Sequence, residues 1–188
     1  MPEIKYISIN EYLNSERNTP EKNEYYKGEI FAMGGTSLPH NIVFKNMFIS
    51  LGVKLKGKNC QPFGRDLRIH IPKNTLFTYP AISIICGKPE TTDDKFDTVT
   101  NPSVIIEILF ESTRNYDKGG KFTLYREIAT LQEYILIDSE FFRVEKFKRN
   151  DDESWQLTEY KSLSDIFLID TIDEEFLLQD VYAGVEIT

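Results

Sequence analysis

Several large functional classes are missing from this chain because the residues they need are missing. No apolar stretch approaches the ~20 residues required to cross a bilayer, so no membrane span is expected. The opening residues, MPEIKYISIN, lack the basic segment followed by an apolar one that marks a secretory leader. A soluble, cytoplasmic protein is the expectation. Gly34-Gly35 matches neither GxGxxG nor GxxxxGK[ST], and no GxSxG elbow occurs, so phosphate-loop and serine-hydrolase chemistry have no signature here. His40 and His70 are far apart in sequence and do not read as a metal-ligand pair. The two cysteines, Cys60 and Cys86, form no CxxC or zinc pattern. Both fall in or beside expected strands, where free cysteine behaves as a small apolar residue, so buried reduced thiols are expected rather than a disulfide. Internal repeats and low-complexity segments are absent.

Positive charge is also in deficit, with 22 basic against 30 acidic residues and a net charge of −8. Negative charge spread evenly repels nucleic acid, so any DNA contact would need a local basic patch or a bridging metal. What the chain does have is core material. A hydrophobic content of 40% over 188 residues suits one domain spanning residues 1–188.

Two apolar runs organise the chain, Tyr79-Pro-Ala-Ile-Ser-Ile-Ile-Cys86 and Val104-Ile-Ile-Glu-Ile-Leu-Phe110. Their length and β-branched content suit neighbouring central strands covered on both faces. Ser8-Ile-Asn-Glu11 reads as a capping box opening a short helix. Glu24 to Met33 reads as a hairpin turning at Lys27-Gly28. Val43, Met47, Leu51 and Leu55 recur at every fourth residue and predict a helix over Pro39 to Lys56. Strands are expected at Gln61–Phe63, Asp66–Ile71 and Glu133–Asp138, with a polar loop from Gly87 to Pro102. A second helix is expected from Asp117 to Ala129. Phe141–Phe147 and Trp155–Tyr160 predict a hairpin, and Glu174–Tyr182 a short amphipathic helix. This order describes an α/β fold, a mixed sheet flanked by helices with a C-terminal β-hairpin.

Glu107 is the residue that asks for an explanation. A carboxylate among isoleucines is costly to bury unless something positive meets it. It reads equally as an acid paired to Arg65 or Lys121 in an inert core and as a metal or catalytic group. Glu24, Asp66, Glu107 and Lys121 form the one set suited to chemistry. Carboxylates near the ends of adjacent strands can hold Mg²⁺ through oxygen ligands, and a lysine can stabilise charge developing on a phosphate. The bland readings are a solvated strand face for Asp66 and Arg68 and simple exposure for Lys121. The basic run Arg143, Lys146, Lys148, Arg149 reads as hairpin surface in preference to a DNA groove.

A resemblance sharpens this set. Glu24-Tyr-Tyr-Lys-Gly-Glu-Ile-Phe-Ala-Met33, Pro62-Phe-Gly-Arg-Asp-Leu-Arg-Ile-His70, Tyr79-Pro-Ala-Ile-Ser-Ile-Ile85 and Ile106-Glu-Ile-Leu-Phe-Glu-Ser-Thr-Arg-Asn-Tyr-Asp-Lys-Gly-Gly-Lys-Phe-Thr-Leu-Tyr125 resemble the Uma-two family. That family belongs to the PD-(D/E)xK nuclease superfamily, and the similarity runs from about Ser8 to Tyr182. It implies a restriction-endonuclease-like fold, DNA as partner and Mg²⁺ or Mn²⁺ as cofactor. By the same resemblance Asp66 and Glu107 would be metal ligands or near-ligands. Lys121 would meet the scissile phosphate, and Glu24 and His40 would line the pocket. Many nucleases of this fold work as dimers, which sets the expectation of a homodimer.

The departures from the family pattern centre on Ala81, which stands where the family has its metal-binding aspartate. A methyl group cannot ligate Mg²⁺, so metal binding and catalysis are expected to be impaired. Phe110 and Glu111 replace a serine and a small or polar residue, Arg65 a small hydroxyl residue, and Gly120 an acid. The alternative is a catalytically silent nucleic-acid-binding or protein-interaction module.

Overall fold

Ser8 opens the first helix, α1 (Ile9–Glu16), through a complete capping box, with the Glu11 carboxylate accepting from the Ser8 N–H at 2.8 Å. The computed structural model describes residues 6–186; residues 1–5, where the leader reading begins, lie outside the described residues. β1 (Asn23–Tyr26) and β2 (Glu29–Ala32) form the expected hairpin. Lys27 and Gly28 both take positive φ, the twist that a two-residue turn requires. A Cβ at Gly28 would also collide with the Tyr6 ring at 2.2 Å, so only glycine fits.

α2 (Leu38–Lys54) follows, capped by Ser37, and buries the predicted stripe of Val43, Met47 and Leu51. Next come β3 (Cys60–Gly64), β4 (Arg68–Ile71), β5 (Leu76–Thr78), β6 (Ile82–Cys86), β7 (Thr98–Val99) and β8 (Val104–Leu109). One continuous helical stretch then runs through α3 (Arg114–Tyr116), a wide π turn (Asp117–Lys121) and α4 (Phe122–Tyr125). The chain closes with β9 (Glu133–Asp138), β10 (Val144–Arg149), β11 (Trp155–Tyr160), β12 (Ile166–Ile169), β13 (Glu174–Leu177) and α5 (Leu178–Val181).

The central sheet has six strands in the order β11-β10-β9-β8-β6-β3, with β8 and β9 parallel and the other neighbours antiparallel. A second sheet, β2-β1-β5-β4-β7, and the β12-β13 pair complete a mixed α/β fold. The hairpin expected over residues 141–160 is β10-β11, and a second one, β12-β13, lies beyond it. Both faces of β8 are covered, as its unbroken apolar run requires. Val104, Ile106 and Ile108 pack with α2 and the C-terminal elements, whereas Ile105 and Leu109 pack with Tyr125, Ile128 and Tyr134.

Four expectations need correction. The run Tyr79–Cys86 is not one strand: Tyr79 to Ala81 turn the chain between β5 and β6, because Pro80 has no N–H to give a ladder. The 87–102 loop contains β7, which pairs with β4. The helix expected over residues 174–182 is confined to their second half, α5, because the first half is strand β13, held by pairing with β12. Finally, Cys60 and Cys86 are joined by a disulfide. They face each other directly across antiparallel β3 and β6, a register that their spacing in sequence does not reveal.

Candidate functional site

The strand alternation that buries Ile105 and Leu109 carries Glu107, between them, to the same side of the central sheet. That side is covered by the helical stretch, and Lys121 meets Glu107 there, Nζ to Oε1 at 2.9 Å. Tyr125, one turn on, donates its hydroxyl to the same oxygen at 2.9 Å. The other Glu107 oxygen accepts the Ala81 main-chain N–H at 3.1 Å. β1 adds a second acid: Tyr25 turns into a cluster with Tyr12 and Phe77, so Glu24 turns the other way. Lys121 Nζ lies 3.0 Å from Glu24, whose carboxylate also accepts from the Thr78 hydroxyl. Asp117 completes the set at 3.7 Å, four residues before Lys121 on the same helical stretch.

One ammonium therefore sits among three carboxylates, with Lys121 only 5% exposed. Burial alone would lower the lysine pKa, but Glu107, Tyr125, Glu24 and Asp117 outweigh it and hold the group well above its usual range. Asp117 is pushed up to about 6, first by burial and then by the neighbouring Glu107 charge. Tyr125 is held far above the usual phenol range by burial and by Glu107.

This cluster forms part of the wall of a cavity of about 770 Å³. Aromatic and aliphatic side chains make up much of the lining, among them Phe31, Phe44, Tyr79, Phe110 and Tyr116. Phe110 is half-buried in this lining. Tyr79 is fixed from behind: its hydroxyl donates to Glu16 at 2.9 Å and accepts from Arg68 at 2.9 Å. Arg68, expected on a solvated face, is buried in this network and ion-paired to Asp97 at 3.0 Å. His40 lies in the first turn of α2 and lines the cavity, 8% exposed, with Nδ1 lacking a hydrogen-bond partner. Burial first and then the nearby Arg65 charge lower its pKa to about 4, so the imidazole is neutral at pH 7.

The structure thus brings together Glu24, His40, Glu107 and Lys121 from the sequence-derived set, together with Ala81. It does not bring in Asp66. That side chain is 91% exposed outside the cavity and pairs with Lys22, because Asp66 sits in the turn before β4 and points to solvent. The basic run of β10 is likewise spoken for: Lys146 and Lys148 both pair with Asp170, at 2.6 and 2.7 Å, and Arg149 with Glu153 at 3.1 Å. Asp117 and Tyr125 were missed. The four-residue spacing of Asp117 and Lys121 was a usable signal for the first. Tyr125 gave none, since it fits an apolar helix face.

The donor set does not fit a divalent cation. Glu24, Glu107 and Asp117 close on an ammonium rather than on an open centre. Ala81 offers only a methyl group beside Glu107. Among the described residues, no three His, Cys, Asp or Glu side chains are arranged to hold a metal ion.

Comparison with known proteins agrees with the fold and the residue pattern. A protein of Synechocystis, "Uncharacterized protein sll1609", is 37% identical over 155 residues, covering 82% of this chain and 88% of its own. A second, "Uncharacterized protein slr1290", is 33% identical over 179 residues, covering 95% and 93%. Among solved structures, a crystal structure titled as a putative nuclease belonging to DUF820 from Anabaena variabilis superposes with a TM-score of 0.77. It covers 96% of this chain and 99% of its own at 15% identity, a likeness of fold alone. The fold is therefore the restriction-endonuclease-like one. Residues 9–179 match the Uma2 family, described as "Putative restriction endonuclease", and the chain belongs to that family.

Proposed function

We propose that the cavity is a phosphodiester-hydrolysing site directed at DNA, of the PD-(D/E)xK type, disabled in this chain at Ala81. The observation that carries the reading is the position of Ala81. Its N–H holds Glu107 at 3.1 Å and the residue lines the cavity, so an acid there would stand beside Glu107 and face the bound group. A methyl group in that place removes a ligand from a site whose affinity depends on ligand number and charge. Weakened or abolished binding of Mg²⁺ or Mn²⁺ is part of the proposal, as is a cytoplasmic location.

A second reading, a catalytically silent binding module, draws on Lys121. Its ammonium is occupied by three carboxylates and is not free to meet a phosphate. Plasmid cleavage in Mg²⁺ and Mn²⁺ separates the two, using the parent, Ala81→Asp and Glu107→Ala. Cleavage gained in Ala81→Asp and absent from Glu107→Ala supports the disabled nuclease. Silence in all three, with DNA still bound, supports the binding module.

A further inference from the structure

The acid-rich cluster explains one part of the cavity and leaves another unused. Arg65 also lines it, half-buried. Among the described residues its guanidinium has no hydrogen bond or ion pair, whereas Lys121, the other basic group of the lining, is fully engaged. Arg65 follows Gly64 at the end of β3, and Gly64 faces the Phe44 and Phe48 rings of α2 across ordinary contact distances. Arg65 lies close enough to His40 for its charge to act on the imidazole. His40 is itself more than nine-tenths buried, lines the same cavity and has an unpartnered ring nitrogen.

An unpaired guanidinium in the lining is complementary to an anion. The three carboxylates around Lys121 repel an anion from the other part of the cavity, which leaves this wall as the place for one. The aromatic lining between them suits a flat apolar body attached to that anion. A cavity of about 770 Å³ takes a group of that size.

We propose that Arg65 anchors a phosphate in a subsite that holds a single nucleotide, its base stacked among the aromatic side chains beside His40. Arg65 supplies the charge and forked hydrogen bonds that suit phosphate, and neutral His40, whose ring N–H is held by the Ile108 carbonyl, offers its free Nδ1 as an acceptor to the base. The phosphate comes either from a free nucleotide or from the 5′ end of a single strand. The subsite rests on the reading of the cavity as one for nucleic-acid chemistry, but it requires neither a metal nor cleavage.

Calorimetric titration of the full chain tests it. The ligands are 2′-deoxyadenosine 5′-monophosphate, 2′-deoxyadenosine, and a short single-stranded oligonucleotide with and without a 5′ phosphate. The monophosphate is expected to bind at least tenfold tighter than the nucleoside. Arg65→Ser should remove that difference at an unchanged melting temperature, and Arg65→Lys should restore part of it. Binding of the monophosphate but not the oligonucleotide assigns a free nucleotide. Tighter binding of the 5′-phosphorylated strand than of its unphosphorylated form assigns a strand end. Equal binding of nucleotide and nucleoside, no binding of either, or full binding by a folded Arg65→Ser overturns the proposal. Cleavage results at Ala81 and Glu107 bear on the nuclease reading and leave this comparison untouched.

Discussion

Replacing Lys121 by methionine removes one charge from a buried set of four while nearly keeping its volume. Its ammonium lies 2.9 Å from Glu107, 3.0 Å from Glu24 and 3.7 Å from Asp117, and 5% of the residue is exposed. At an effective dielectric near 20, each of the shorter contacts is worth roughly 5 kcal/mol of Coulomb attraction, most of it offset by desolvation of the partners. What the variant exposes is the uncompensated remainder, three acids facing one another out of water. Losing one partner of a buried pair costs about 3–5 kcal/mol. For a chain of this size that corresponds to a fall in Tm of about 6–20 °C. The pH dependence has a definite sign. Without the ammonium, the acids take up protons more readily in the folded state than in the unfolded one, so the variant's deficit shrinks as pH falls from 7.5 to 5. Lys118→Met serves as control: Lys118 pairs with Glu145 at 2.7 Å but is partly exposed, and a change within about 1 kcal/mol is expected. Thermal melts of both variants at the two pH values check the argument. A Lys121→Met protein that melts like the parent at pH 7.5, or one equally destabilised at pH 5, refutes the account of Lys121 as the cation holding these acids together.

Two further outcomes follow from the same geometry. Because Asp117 is raised in the folded state to about 6, it is protonated there while still ionised in the unfolded chain, so stability falls as pH rises from about 4 to about 6. Asp117→Asn should flatten that segment of the stability curve, and parallel curves for variant and parent would contradict it. The Cys60–Cys86 disulfide closes a loop with a sequence separation of 26, so its reduction should cost about 2–4 kcal/mol. Melting with and without dithiothreitol reads the loss. Thiol titration of denatured protein taken directly from cells tests the compartment as well: two free thiols would agree with a reducing cytoplasm, and none would place the chain in an oxidising one.

Much of this architecture was legible in the residues because it depends on local rules. The Ser8 capping box, the Lys27-Gly28 turn and the α2 stripe each follow from a short pattern with one physical reading, and all three are present. The run Val104–Leu109 announced a central strand, and the isolation of Glu107 within it announced a cation nearby. What the pattern left open was which cation. Arg65 and Lys121 were equal partners on the page, and the choice was made by the side of β8 on which each element packs. Likewise Asp66 looked like a ligand because of its neighbours in sequence, whereas the turn before β4 directs it toward Lys22 and solvent.

The sequence by itself determined the class of fold, the family, the buried acid and the missing carboxylate at Ala81, since these are matters of composition, period and motif. Only the tertiary structure decided that Asp117, Glu24 and Glu107 share one ammonium, that Arg65 stands unpaired beside His40, and that Cys60 meets Cys86. Each of those depends on strand register and on the packing of helices over the sheet. Register is set by contacts between segments distant in sequence, and a one-residue shift of its strand would carry Glu24, Glu107, Cys60 or Cys86 to the opposite face.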